Sequence, residues 1–155
     1  MNLRPYSATT LALGGTILML AGLYFVFVRP PLLPEDLRYM DTSLAQIHAI
    51  GPRLPSWLRR VFWVMGGYMF ATGLLTSYVA LTGFRSRARG AAGVALLAGL
   101  TSIGWMVIVH FIIASDFKWI LLSFALPWAA ALVFYCLESP GSRGRGADHI
   151  DTGTP

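Results

Sequence analysis

Long apolar stretches without charge dominate the hydrophobic pattern of this 155-residue chain. Four stretches contain no Lys, Arg, Asp or Glu, namely 5–28, 61–84, 90–115 and 119–137. About 20 helical residues cross the roughly 30 Å hydrocarbon core of a bilayer. Backbone polar groups in lipid must be bonded within their own segment, which favours helices. The pattern predicts an all-α membrane protein with four transmembrane helices in an antiparallel bundle.

The connections between these stretches suggest one domain, residues 1–138. The transmembrane helices are expected at about 8–28, 60–82, 91–114 and 118–137. Only residues 115–118 join the last two, so these helices should lie side by side and antiparallel. From residue 139 onward the chain is mostly Ser, Pro, Gly, Arg and Asp. Such a segment has too little apolar surface to order itself, and we expect 139–155 to be a flexible polar tail.

The first connection is long and has a helical pattern of its own. Pro34, Glu35 and Asp36 form a strong helix start, with a proline preset for the first turn and two acids near its positive end. An apolar stripe with helical spacing follows, made of Leu37, Met40, Leu44 and Ile47. Gly51 and Pro52 then end the pattern. This predicts a short amphipathic helix at about 34–50, lying on the membrane surface or covering the mouth of the bundle.

Composition and charge agree with a membrane location. Hydrophobic residues make up 55% of the chain and charged residues 12%, which argues against a soluble enzyme. The net charge of +5 comes from basic residues at the ends of apolar stretches, so we expect the lipid bilayer, and no nucleic acid, as the partner. Residues 85–89 contain three arginines and no acid. This favours both termini in the cytoplasm, and the Arg-rich, Ala- and Gly-rich composition suggests a bacterial inner membrane.

Small residues recur on one face of several stretches, as at close helix contacts in membranes. Examples are Gly14 and Gly22 in the first stretch and Gly66, Gly67 and Gly73 in the second. We expect them to pack the bundle, and a leftover face would allow self-association or entry into a larger membrane complex.

His110 is the one ionisable side chain inside an apolar stretch. Ionisable residues within membranes are costly and often functional. One interpretation makes His110 a ligand contact; another makes it a neutral imidazole bonded to a neighbouring helix, with Tyr24 or Trp63 as its partner. Several polar residues should lie on the same membrane side. The candidate ligand-binding residues are His110, Asp116, Tyr24, Trp63, His48 and Asp36.

Catalytic and metal-binding motifs are not recognisable in the sequence. His and Cys spacings typical of metal sites are missing, and no nucleophile motif or nucleotide-binding loop occurs. Cys136 is the single cysteine, so it forms no disulfide within the chain. We therefore expect no catalytic residues, metal or cofactor, and a protein that is not an enzyme.

Two parts of the chain resemble small uncharacterised four-helix membrane proteins of bacteria. They are the stretch 34–38 (Pro-Glu-Asp-Leu-Arg) and, within the second apolar stretch, residues 66–69 and 73–75. The resemblance implies an all-helical bundle without an established activity. We expect a multi-pass integral membrane protein that acts as an accessory or structural subunit. The alternative is a binding protein for a lipid, quinone or other small apolar ligand on the long-loop side of the bundle.

Overall fold

The computed structural model describes residues 6–138, and every regular element in that range is helical. Four helices are long: α1 (Tyr6–Phe27), α4 (Leu54–Phe84), α5 (Ala91–Ile112) and α6 (Lys118–Leu137). Two short helices, α2 (Pro34–Tyr39) and α3 (Leu44–Ile50), lie between α1 and α4. The prediction of an all-helical chain with four helices long and apolar enough to span a membrane is confirmed. The predicted tail, 139–155, lies outside the described residues.

Two of the long helices contain a π-helical turn. Ala80–Phe84 forms such a turn at the end of α4, and Leu100–Gly104 forms another in the middle of α5. Helix α4 also begins earlier than the predicted residue 60, at Leu54. Pro55 fits its first turn, where a missing backbone N–H leaves no intrahelical bond unmade.

The single helix predicted for 34–50 is wrong: the segment forms α2 and α3, separated by a turn. Asp41 adopts a left-handed backbone with φ of 49°, which a continuous helix does not allow. Ser43 then starts α3, because its hydroxyl accepts from the Gln46 N–H while the Gln46 side chain accepts from the Ser43 N–H. Of the predicted apolar stripe only Ile47 is buried, and Met40 and Leu44 stay exposed.

Helix α1 is the centre of the bundle and packs along both α4 and α6. Glycine pairs bring α1 and α4 together at two levels, Gly15 opposite Gly73 and Gly22 opposite Gly66. A Cβ added to Gly22 would lie 2.6 Å from the Gly66 carbonyl oxygen, so the two backbones are in direct contact. The absence of side chains at these positions allows this approach.

Helix α5 packs more extensively on α6 than on α4. Trp128 of α6 is buried and its Nε1–H donates to the Ala95 carbonyl at 2.7 Å. Gly99 lies directly over the same indole ring, where a Cβ would clash. Because α5 is held by α6 and α4 is held by α1, a space opens between α4 and α5.

The end of the bundle that carries the first residues of α1 is closed by Glu138. Its carboxylate accepts from the Ser7 N–H at 3.1 Å and from the Ser7 hydroxyl at 2.6 Å. Arg87, in the α4–α5 connection, contacts the same carboxylate at 3.5 Å and lies over the ring of Tyr135. Three parts of the chain therefore meet at one acid.

Candidate functional site

Two cavities lie at the opposite end of the bundle, beneath α2. The larger has a volume of about 820 Å³ and lies between α4 and α5. The smaller, of about 500 Å³, lies between α1 and α6. Both are walled mainly by apolar side chains, and four residues line both of them: Phe25, Arg29, Glu35 and His110. Three of these four carry the polar groups of the site.

Arg29 follows the end of α1 and turns its guanidinium inward. Its Nη2 lies 3.3 Å from a carboxylate oxygen of Asp36, and its Cζ lies 3.6 Å from the ring centre of Phe62 and 5.2 Å from that of Phe25. Burial lowers the pKa of Arg29. The nearby carboxylates of Asp36 and Glu35 act in the opposite direction and offset part of this shift. Arginine keeps its charge at neutral pH even so. The cation is therefore engaged by one acid and two aromatic rings.

Asp36 has a second role at the start of α2. The oxygen that faces Arg29 also accepts from the Leu33 N–H at 2.8 Å, which satisfies a backbone donor at the helix start. The ion pair and the helix cap thus fix α2 over the cavity with one side chain.

Glu35 is the most buried charged residue among 6–138, with 3% of its surface exposed. Its carboxylate accepts from the Ser115 hydroxyl at 2.8 Å and from the Asp116 N–H at 3.3 Å. Both donors belong to the turn between α5 and α6, so Glu35 connects α2 to that turn. Both donors are also neutral, and no Lys or Arg nitrogen lies within 4.0 Å of Glu35 in the described part of the chain.

His110 lies in the last turns of α5. Its Nδ1 is 2.8 Å from the Met106 carbonyl oxygen in its own helix, so the predicted hydrogen bond to Tyr24 or Trp63 is wrong. A carbonyl only accepts, so Nδ1 carries the hydrogen and Nε2 of the neutral ring is an acceptor. Nε2 makes no hydrogen bond within residues 6–138. The Met106 carbonyl, one turn earlier in the same helix, satisfies Nδ1, so this nitrogen needs no partner from another helix.

The structure brings together some of the predicted site residues and separates the others. His110 lines both cavities, Asp36 the larger and Tyr24 the smaller. Asp116 lies in the adjoining turn, where its exposed carboxylate pairs with Arg38 at 3.0 Å. Trp63 and His48 are exposed and lie outside the linings of both cavities.

Sequence reasoning missed Arg29 as a site residue. It placed Glu35 on the same membrane side as His110, as a first-turn acid of the loop helix, but left it out of the candidate ligand-binding residues. The acids that follow Arg29 at a distance of six and seven residues were the available signal, because they can fold back onto it.

The arrangement provides binding chemistry. Two residues with acceptor atoms, Glu35 and His110, line both apolar cavities. In residues 6–138 no three His, Cys, Asp or Glu side chains converge as a metal site requires. Comparison with protein-family models, with curated proteins and with solved structures finds no match to this chain.

Proposed function

We propose that the protein is a multi-pass integral membrane protein of a bacterial inner membrane, with neighbouring long helices antiparallel. Helix lengths of 22, 31, 22 and 20 residues support insertion. Large apolar side chains along all four long helices are exposed, for instance Leu20, Leu75, Leu97 and Leu126, which suits contact with lipid. The glycine pairs support the antiparallel arrangement, because the partner number on α4 falls from 73 to 66 as that on α1 rises from 15 to 22.

The orientation proposed has both termini in the cytoplasm. The arginine-rich connection 85–89 lies at the end of the bundle that holds Ser7 and Glu138, which supports this choice. The test uses single cysteines at Ala45 and Ser142 in a Cys136→Ser background. A membrane-impermeant thiol reagent added to intact cells should label position 45 and not 142. Labelling of position 142 alone would contradict this proposal and indicate the opposite orientation.

Within that membrane protein, we propose that the larger cavity binds a small apolar molecule such as a lipid or quinone. The cavity of about 820 Å³ between α4 and α5 carries this proposal, since its size and apolar walls with a few converging polar groups are typical of ligand sites. Arg29, Glu35 and His110 supply those polar groups.

Native mass spectrometry of protein extracted gently from its own membrane tests this function. We expect a discrete added mass on the wild type. Thr72→Phe should remove it by filling the cavity, since Thr72 lies in the lining. Thr16→Phe is the matched control: both threonines bond the carbonyl four residues earlier, but Thr16 lies outside both linings. Equal retention of the mass in both variants would contradict binding in this cavity.

A second candidate is an accessory or structural subunit of a larger membrane complex. Gly67 and Gly93 favour it, because both are exposed on long helices and a Cβ there would meet nothing within 4 Å. Such positions allow another helix to approach closely. The same mass spectrum separates the two candidates: a polypeptide mass, lost on Gly67→Leu and kept on Thr72→Phe, would favour the subunit.

A further inference from the structure

The charges that line the larger cavity do not cancel. Glu35 and Asp36 contribute two carboxylates and Arg29 one guanidinium, so the polar end of the cavity has one excess negative charge. The guanidinium is also committed, because it contacts Asp36 at 3.3 Å and lies 3.6 Å from the Phe62 ring centre. An anionic ligand would meet a cation that is already paired with Asp36 and an excess of negative charge.

Glu35 is the cavity acid that makes no salt bridge within 4.0 Å in the described part of the chain. Its two hydrogen bonds come from an uncharged hydroxyl and an uncharged backbone N–H, although 97% of its surface is buried. A carboxylate has about four sites that accept hydrogen bonds, so about two stay open here. The Arg29 charge acts on Glu35 only from beyond salt-bridge distance and is shared with Asp36. Burying a carboxylate is costly, and a cation bound in the cavity would offset part of that cost.

His110 adds a second acceptor at the same place. Its Nδ1–H is used by the Met106 carbonyl, which leaves Nε2 to accept from a ligand. The Arg29 guanidinium is engaged by Asp36 and by the Pro30 carbonyl, whereas Glu35 and His110 offer acceptors. This combination favours a ligand whose polar end donates hydrogen bonds.

The walls suit an organic cation with an apolar body. Trp105 and Tyr68 present aromatic rings, which attract ammonium groups, and Met65, Met69 and Met106 are flexible apolar side chains that adapt to irregular shapes. Residues of both α4 and α5 line the cavity along several helical turns, so an extended apolar chain can lie between the two helices.

We infer that the ligand of this site is an amphipathic amine, with its ammonium group facing Glu35 and His110 and its apolar chain between α4 and α5. The inference rests on the binding function proposed above. The inference predicts the order of affinity among ligands that share one hydrocarbon chain and differ in head group: the amine binds most tightly, the neutral alcohol less tightly, and the carboxylate least.

The test measures binding of three probes, dodecylamine, dodecanol and dodecanoate, each brominated on the chain, to the full-length protein in lipid nanodiscs. A bromine atom bound in the cavity quenches the fluorescence of Trp105, which lies in the lining. The saturable part of the quenching that disappears in Trp105→Phe therefore measures binding at this site. At mildly alkaline pH we expect the amine to bind about tenfold more tightly than the alcohol, as a charged hydrogen bond to a buried acid should provide.

Glu35→Gln should lower the affinity for the amine by about tenfold and leave the alcohol nearly unchanged. Asp41→Asn is the matched control, since it removes an equal charge from the same loop at a position outside both cavity linings. Asparagine also tolerates the left-handed backbone at this position, where φ is 49°. An equal loss of amine affinity in both variants would mean that the general surface charge, and not Glu35, attracts the amine, and this would overturn the inference.

The wild-type ranking decides the question even where Glu35→Gln does not fold. Saturable binding of all three probes with equal affinity, or with the carboxylate first, overturns the amine inference and leaves the binding function standing. No saturable quenching by any probe overturns both.

Discussion

Replacing Gly22 by Ala should open the α1–α4 contact. The added Cβ would lie 2.6 Å from the Gly66 carbonyl oxygen and 2.7 Å from the Phe70 nitrogen. Both are backbone atoms, so no side chain can rotate away, and an ordinary contact begins at 3.4 Å. The helices would have to move apart by roughly 0.8 Å at this level. Overpacking of this kind costs about 1–3 kcal/mol.

Gly67→Ala is the control for this substitution. Gly67 is the neighbour of Gly66 in the same helix, yet a Cβ there meets nothing within 4 Å. Its replacement should be neutral or should stabilise by up to about 1 kcal/mol, because Ala favours helix more than Gly. The free energies of unfolding of the two variants should therefore differ by about 1–4 kcal/mol.

The assay is reversible unfolding in mixed micelles with increasing sodium dodecyl sulfate, followed by far-ultraviolet circular dichroism. Gly22→Ala should unfold at a clearly lower detergent fraction than both the wild type and Gly67→Ala. Equal midpoints for the two variants would refute the reasoning, since they would mean that α1 and α4 do not touch at Gly22.

Two further substitutions probe other contacts in the same unfolding assay. Trp128→Phe removes the buried hydrogen bond to the Ala95 carbonyl and should cost about 1–3 kcal/mol, while Trp57→Phe, at an exposed position, should cost little. Glu138→Gln removes the negative charge that accepts two hydrogen bonds from Ser7, which weakens both bonds and should also cost about 1–3 kcal/mol. An unchanged midpoint would mean that the carboxylate does not hold this end of the bundle together.

The number and approximate limits of the long helices were predictable from the sequence. A run of some 20 apolar residues without charge is a local property, and its helical state follows from the backbone alone. The turn between α2 and α3 was harder to predict, because the apolar spacing continues through it. The Ser43–Gln46 capping box was a visible local signal against one long helix, and it outweighed the stripe.

The partners of the glycines were not predictable. Gly14 and Gly22 share a helix face by spacing, but Gly14 faces Trp128 of α6 whereas Gly15 and Gly22 face α4. Helix α1 packs between two neighbours, so different sides of it meet different helices. Periodicity identifies a face that can pack closely, and only the arrangement of the helices selects what it meets.

The candidate site divides in the same way between local and non-local information. The sequence alone determined that His110 lies within an apolar helix and that two acids lie in the first turn of the helix after α1. Only the tertiary structure decided that Glu35 leaves water, because its hydrogen-bond donors are 80 and 81 residues away in the chain. A carboxylate stays solvated unless distant donors replace its water, and no local pattern shows where those donors will be.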